Sequence, residues 1–158
     1  MMAGIYYYIY STLAWGFAIG IQIIVARRLG EGRLDRIGVI FEHGLFFVLF
    51  LSTGLFLIQH YFTNDILARI IQSPNIYAAA VEYMDYRHYG IIFVCFNFLF
   101  RSLYIGLSDT KVISFTTAIM AMVNIFLDYV LIFGKFGVPG LGIAGAAIGS
   151  SLAELVSL

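Results

Sequence analysis

The residues with the clearest chemical potential are Asn124 and Asp128, which stand inside the apolar stretch 112–134. A carboxylate at membrane depth is costly, so it must be compensated, bind a proton or face water. Positions four apart share one helical face, so the amide and the carboxylate point the same way. This pair is suited to binding H⁺ or Na⁺, with the amide oxygen as an additional ligand. The alternative is an interhelical hydrogen bond that only ties two helices together.

A second group of polar side chains lies at 82–89, ahead of a clean apolar run. Glu82, Asp85 and Tyr89 fall on one helical face, and Arg87 and His88 are close by. Charged side chains near a membrane surface reach water at low cost by snorkelling. We therefore favour a solvated helix end near the outer interface. The alternative is that Asp85 and Tyr89 line a cavity.

The other polar residues in apolar sequence receive weaker assignments. Gln22 either lines a cavity or bonds to a neighbouring helix, His60 is expected at the membrane interface, and Glu154 has no assigned place. The chain contains no Walker loop, no paired metal-ligating histidines and no nucleophile with a suitable base. The sequence therefore predicts no enzyme, no catalytic residue and no cofactor. It predicts no metal site beyond Na⁺ at Asp128 and Asn124, where H⁺ is the other ion that could bind.

The composition places these residues in a membrane. Of the 158 residues, 61% are hydrophobic and 11% are charged, and the mean hydropathy is +0.93. Soluble domains carry about 25% charged residues. The formal net charge is zero, so no basic excess predicts a nucleic-acid partner. The sequence indicates an all-α integral membrane protein with lipid around it.

Five apolar runs have the length and composition of transmembrane helices, which need roughly 20 residues. Because backbone groups in lipid must be satisfied within the segment, and period-2 alternation is absent, we expect a polytopic helix bundle. A short interfacial helix is predicted over 63–73, ahead of Pro74. The predicted spans are 5–26, 38–60, 77–105, 112–134 and 141–158, the last incomplete.

Glycines recur at a spacing that is typical of close helix packing. The first span contains Gly16 and Gly20, and the last contains Gly142, Gly145 and Gly149. We expect both glycine faces to lie against neighbouring helices.

Basic residues in short loops predict the orientation, because they accumulate on the cytoplasmic side. Six Lys or Arg residues lie in the connections near 27–37 and 101–111, against three on the other side. These two connections are therefore expected in the cytoplasm of a multi-pass plasma (inner) membrane protein. The first span then starts outside, and the last run is short. We expect the chain to be an internal section of a longer polytopic protein.

Three stretches resemble the multidrug and toxin extrusion (MATE) family. They are QIIVARRLGEG at 22–32, FRSLYIGLSDTK at 100–111 and NIFLDYVLIFGKFGVPGLGIAGAA at 124–147. In the second stretch, Ser102 and Ser108 stand where the family commonly has Gly. The resemblance implies twelve spans in two six-helix lobes, and it places this chain at spans two to five and the start of six of the N-terminal lobe. The remaining spans of the same transporter would be its partners.

The resemblance also implies a function. MATE proteins exchange H⁺ or Na⁺ for organic, often cationic, small molecules by alternating access. The family's cation-coupling Asn and Asp of the fifth span match Asn124 and Asp128, and Ser150 is the nearest candidate for a hydroxyl residue of the sixth. A related lipid-linked oligosaccharide flippase is disfavoured because the inner spans lack Arg and Lys. A truncated membrane protein without transport is the third hypothesis.

Overall fold

The structure is a computed structural model that describes residues 2–136 and 139–158. Within these residues the chain forms six helices and no strand, which confirms the predicted all-α fold class. Residues 137–138 of the stretch 124–147 lie outside the described residues. The helices are α1 (Met2–Gly30), α2 (Leu34–Ile70), α3 (Pro74–Arg87), α4 (Gly90–Gly106), α5 (Thr110–Phe133) and α6 (Gly142–Val156).

Three helices, α1, α2 and α5, are long and apolar enough to cross a membrane. Helices α3 and α4 meet this criterion only together, and they are bent by 59° where they join. The predicted span 77–105 is therefore divided at 88–89, whereas α6 is a shorter apolar helix. The connections between helices are also shorter than predicted, because the helices extend into the predicted loops. Residues 31–33 connect α1 to α2 within the predicted loop 27–37, and residues 107–109 connect α4 to α5 within the predicted loop 101–111.

The structure corrects the prediction of a separate interfacial helix over 63–73. Helix α2 continues through this segment to Ile70, because Leu55, Gln59, Thr63 and Leu67 are all buried at a spacing of four and form one packed face. The helix ends at Ile70, and Ile71 and Ser73 have extended backbone. For Ser73 this is the conformation favoured directly before a proline, here Pro74.

Gly90, the first residue of α4 after the bend, leaves room for side chains of α3 and α6. A Cβ on Gly90 would lie 2.2 Å from Nη1 of Arg87 and 2.7 Å from Oγ of Ser151. Since real side chains do not approach this closely, any larger residue would push the Arg87 side chain away. Gly90 therefore lets α6 approach the bend.

Helix α4 lies at the centre of the bundle and packs on α1, α2, α5 and α6. Its buried residues Ile91, Cys95 and Leu99 recur every four positions and form the core with residues such as Val25 of α1. Helix α5 packs mainly on α6, and Val130 is its one buried residue in the described chain. Several of its large apolar side chains, such as Phe115, Met122 and Ile125, are exposed.

The two glycine faces differ from one another. A Cβ on Gly145 would lie 2.7 Å from the backbone of Leu131, so α5 and α6 touch there through their main chains. Gly16, Gly20 and Gly142, by contrast, have open space around them in the described chain. The prediction of close packing is therefore confirmed for Gly145 and Gly149 but wrong for Gly142 and for both glycines of the first span.

The ends of α1 and α4 adopt the same turn with different residues. The backbone N–H of Arg33 donates to the carbonyl of Arg28, and the backbone N–H of Asp109 donates to that of Tyr104. Each bond closes a six-residue loop at a helix end. Such a loop needs a left-handed residue, which is Gly32 (φ +72°) after α1 but Ser108 (φ +62°) after α4. A side chain in this region costs about 1–2 kcal/mol.

We predict that Ser108→Gly raises the free energy of unfolding by about 1 kcal/mol, because it relieves this backbone conformation. Ser102→Gly is the matched control, since Ser102 is buried within α4, where glycine destabilises a helix by about 1 kcal/mol. Unfolding of the purified chain in detergent micelles would measure both. Destabilisation by both substitutions would contradict the predicted relief.

We also predict that Gly145→Ala destabilises the protein by about 1–3 kcal/mol, because the new methyl group meets the α5 backbone. Gly20→Ala serves as the control in open space and should be neutral or slightly stabilising. Equal effects of the two substitutions in the same unfolding assay would refute the tight α5–α6 contact.

Candidate cation-coupling site

Asn124, Asp128 and Ser150 come together where α5 packs on α6. The amide nitrogen Nδ2 of Asn124 donates to Oγ of Ser150 at 3.3 Å. One carboxylate oxygen of Asp128, Oδ1, is buried and has no hydrogen-bond partner among the described residues. It lies 2.6 Å from where a Cβ on Gly149 would stand. We call Asn124, Asp128 and Ser150 the α5–α6 polar site.

Local sequence explains how this site is built. Asn124 and Asp128 are one turn apart on α5, and Gly149 directly precedes Ser150 on α6. Because α6 returns antiparallel to α5, Leu131 faces Gly145 and Asp128 faces Gly149. The glycines bring the helix axes close together, which places the carboxylate against α6.

The site offers three kinds of hard oxygen: a carboxylate, an amide and a hydroxyl. These oxygens suit a proton on Asp128 or a small cation such as Na⁺. A buried carboxylate oxygen without a donor is a costly arrangement that binding of either ion would relieve. No group of three His, Cys, Asp or Glu side chains suited to a metal ion occurs in residues 2–136 and 139–158.

Gln22 lies apart from this site. It borders a cavity of about 220 Å³ between α1 and α4, together with Trp15, Phe98 and Arg101. Gln22 therefore lies beside a cavity, and its predicted cavity-lining function stays a prediction.

Asp85 and Tyr89 border a different cavity, of about 330 Å³, between α2 and the α3–α4 bend. We call it the α2–α3 cavity. It includes His60 and His88 and shares no lining residue with the Gln22 cavity or the α5–α6 polar site. Asp85 and Tyr89 are exposed, as expected for a solvated helix end, but His88 is only 6% exposed.

A buried ion pair joins Arg87 to Glu154, and the sequence pattern did not predict it. The guanidinium Nη1 donates to Oε2 of Glu154 at 2.9 Å, and Nη2 pairs with Oε1. Nη1 also donates to Oγ of Ser151 at 3.2 Å, and the guanidinium lies 4.0 Å from the centre of the Tyr7 ring. The expectation that Arg87 belongs to a solvated helix end is therefore wrong, because its side chain is 8% exposed.

The signal for this pair was present in the sequence. An arginine and a glutamate within apolar segments almost always pair or face a cavity. Arg87 and Glu154 are 67 positions apart, however, so their proximity depends on how the helices pack.

The connection between α1 and α2 carries its own charge cluster. Arg28 donates to Glu31 at 2.6 Å, and Arg27 donates to it at 2.9 Å. Hydrogen bonds from these guanidinium groups hold the pKa of Glu31 below its ordinary value. The cluster is exposed, so it contributes little to stability.

The MatE family model matches residues 2–130, most of the chain. The chain belongs to the MatE family. This assignment confirms the resemblance drawn from the three sequence stretches. It makes the chain a multi-pass membrane protein of a transport family rather than an enzyme.

MatE relatives match nearly the whole chain. A probable multidrug resistance protein NorM from Halalkalibacterium halodurans is 31% identical over 137 residues, which cover 87% of this chain and 30% of the relative. The corresponding NorM protein from Streptococcus pneumoniae is 32% identical over 149 residues, covering 94% of this chain and 33% of the relative. The chain thus spans about a third of the length of these relatives.

A solved structure has the same fold. The inward-facing conformation of a multidrug resistance MATE family transporter of the MOP superfamily matches with a TM-score of 0.85 at 22% identity. The match covers 94% of this chain and 33% of that transporter. The match supports the helix arrangement described above. It does not assign roles to individual side chains.

We predict that Glu154→Gln destabilises the protein by about 3–5 kcal/mol, because it leaves the buried Arg87 charge unpaired. The matched control is Glu31→Gln, which removes an exposed ion pair and should have little measurable effect. Unfolding in detergent would measure both. If Glu154→Gln were as mild as the control, the buried pair would not hold the helices together.

Proposed function

We propose that this chain is part of a cation-coupled antiporter that exports drugs or other organic, often cationic, compounds across the membrane. The observation that carries the proposal is the carboxylate of Asp128, with one oxygen buried and unpartnered against Gly149. A buried carboxylate oxygen without a donor, in a mainly apolar helix, is stabilised when it binds a cation. The names of the relatives support the export of drugs.

The α5–α6 polar site supplies the coupling step in this proposal. H⁺ or Na⁺ binds at Asp128, with the oxygens of Asn124 and Ser150 beside it. Binding neutralises the carboxylate and so removes the cost of holding a charge in apolar surroundings. Because α5 and α6 touch through their backbones at Gly145, a change of charge at Asp128 acts directly on the packing of the two helices. That packing difference is how ion binding would favour one transporter conformation over another.

In this proposal the chain forms one section of a larger transporter. The chain corresponds to spans two to six of an N-terminal lobe, and the remaining spans of the same protein complete the substrate pathway. The connections at 31–33 and 107–109 lie in the cytoplasm of a plasma-membrane protein, because the arginines and lysine around them outnumber the basic residues on the other side. Membrane lipid and a small-molecule substrate are the expected partners.

The exposed face of α5 fits this placement. Its outward residues include Phe115, Met122, Ile125, Phe126 and Phe133, each more than half exposed. A face of this size and apolarity does not remain in water. In the proposed transporter it contacts lipid or the remaining spans.

We predict that Asp128→Asn, in a full-length transporter that carries this segment, lowers ion-driven efflux of a fluorescent organic cation at least tenfold. The amide keeps the shape of the side chain but can neither bind a proton nor supply a carboxylate to Na⁺. Efflux from vesicles driven by a pH or a Na⁺ gradient would measure the effect and distinguish the two ions.

Asp65→Asn is the matched control, because Asp65 is an exposed carboxylate of α2. It should leave efflux unchanged at equal expression. Full ion-driven efflux in the Asp128→Asn protein would rule out the proposed role of Asp128.

A further inference from the structure

The α2–α3 cavity contains two of the three histidines of the chain, and neither belongs to the α5–α6 polar site. His60 lies on α2, and His88 lies at the bend between α3 and α4. The two residues are 28 positions apart, so no short spacing motif in the sequence indicates the pair. The fold nevertheless brings Nδ1 of His60 to 3.3 Å from Nε2 of His88.

The separation of these two nitrogens fits a pair of ligands on one metal ion. Two nitrogens that each bind a tetrahedral Zn²⁺ ion at about 2.0–2.1 Å lie about 3.3–3.4 Å from each other. The same distance also accommodates a hydrogen bond between the two rings. The groups around the rings therefore decide between a metal site and a simple contact between helices.

The second nitrogen of His88 prepares this ring for a metal ion. Nδ1 of His88 is 2.7 Å from the carbonyl oxygen of Met84. A carbonyl oxygen only accepts, so Nδ1 carries the hydrogen, and the lone pair of the neutral ring is on Nε2, which faces His60. Histidines that bind metals commonly donate their other N–H to a carbonyl or carboxylate, which fixes the orientation of the ring.

The charges around the cavity favour a cation. Asp85 borders the cavity and supplies a carboxylate. Arg87 adjoins His88 in sequence, but its guanidinium binds Glu154 and so is already neutralised. A positive ion between the two histidines therefore has an acidic neighbour and meets no free charge from Arg87.

Gln59 indicates that the cavity holds a polar occupant. Its side chain borders the cavity, the residue is 1% exposed, and neither its amide oxygen nor its amide nitrogen has a partner in the described chain. A buried amide without hydrogen bonds is costly. A water molecule bound to a metal ion would donate to the amide oxygen, and a cavity of about 330 Å³ has room for the ion and several waters.

The ligand set selects the kind of metal ion. Neutral imidazoles suit zinc and its neighbours in the first transition series, whereas Mg²⁺ and Ca²⁺ prefer oxygen ligands. No third His, Cys, Asp or Glu side chain completes a metal-binding group within residues 2–136 and 139–158. Water must therefore fill the remaining positions, so the site would exchange its ion more readily than a closed zinc site with four protein ligands.

We propose that the α2–α3 cavity is a Zn²⁺-binding site. Nδ1 of His60 and Nε2 of His88 bind the ion, water completes its coordination, and Gln59 accepts a hydrogen bond from that water. The bound ion links α2 to the bend between α3 and α4. The site shares no residue with the α5–α6 polar site and does not rest on the antiporter proposal.

The test is Zn²⁺ binding to the purified 158-residue chain in lipid nanodiscs, measured by isothermal titration calorimetry. The affinity tag should contain no histidine, because a histidine tag would itself bind Zn²⁺. We expect one Zn²⁺ ion per chain, and excess Mg²⁺ should not displace it. X-ray absorption at the zinc edge should show two imidazole nitrogens at about 2.0–2.1 Å.

His60→Gln and His88→Gln should each weaken Zn²⁺ binding at least about tenfold, because each removes one of the two protein ligands. His43→Gln is the matched control and should leave the affinity unchanged. Like His88, His43 has Nδ1 at 2.7 Å from a backbone carbonyl, that of Val39, but it lies outside the cavity.

Zn²⁺ should also raise the unfolding temperature of the unmodified chain and of His43→Gln. It should not do so for His60→Gln or His88→Gln, because an ion stabilises only a folded state that binds it. Asp128→Asn should bind Zn²⁺ like the unmodified chain, which keeps this test distinct from the efflux test.

An unmodified chain that binds no Zn²⁺, or whose zinc spectrum lacks two imidazoles, would overturn the proposal. Equal losses of affinity in His43→Gln and His60→Gln would overturn it as well. If a variant fails to fold, as judged by its circular dichroism, the zinc spectrum of the unmodified chain decides alone.

Discussion

The ion pair between Arg87 and Glu154 is the interaction on which the arrangement of this bundle depends. Its charges come from α3 and α6, it is bounded by the Tyr7 ring of α1, and Asn97 of α4 donates to the Glu154 backbone at 2.7 Å. Four helices therefore meet around one buried pair. Because an unpaired charge among apolar side chains is strongly unfavourable, the bend at 88–89, the small Gly90 and the docking of α6 must occur together.

This pair makes the difference between Glu154 and Asp128 informative. Both are carboxylates on mainly apolar helices of the same bundle. Both oxygens of Glu154 bind one guanidinium, whereas a buried oxygen of Asp128 has no partner in the described residues. The Arg87–Glu154 pair leaves no carboxylate oxygen unpaired and stabilises the packing of α3 against α6. The unpaired oxygen of Asp128 is stabilised when it binds a proton or a cation, which is the property that a coupling site requires. The structure thus separates a structural carboxylate from a candidate functional one, although their chemistry is identical.

Glycine has a different role at each place where helices approach. Gly90 makes room for a side chain, Gly145 lets two backbones touch, and Gly32 supplies a left-handed turn. Gly16 and Gly20 have the spacing of a packing motif but border open space. Spacing alone therefore does not distinguish a packed glycine from an exposed one, because the difference depends on which helix lies opposite.

The sequence by itself determined the features that depend on local spacing and composition. Apolar length predicted the helices, and the four-residue interval predicted that Asn124 and Asp128 share a face of α5, as they do. It did not determine that α2 would continue past His60, because that depends on Thr63 and Leu67 finding a buried surface.

Only the tertiary structure decided which distant residues meet. Arg87 and Glu154, or His60 and His88, lie on separate helices, and nothing in their neighbouring sequence indicates a partner. The physical reason is that every charged group or imidazole in an apolar segment needs a hydrogen-bond partner, an opposite charge or water. The sequence shows which residues need a partner but not which residue supplies it. The packing of α3, α4 and α6 around Gly90 assigns the partners, and among the described residues it leaves Asp128 as the carboxylate with a buried oxygen still unpaired.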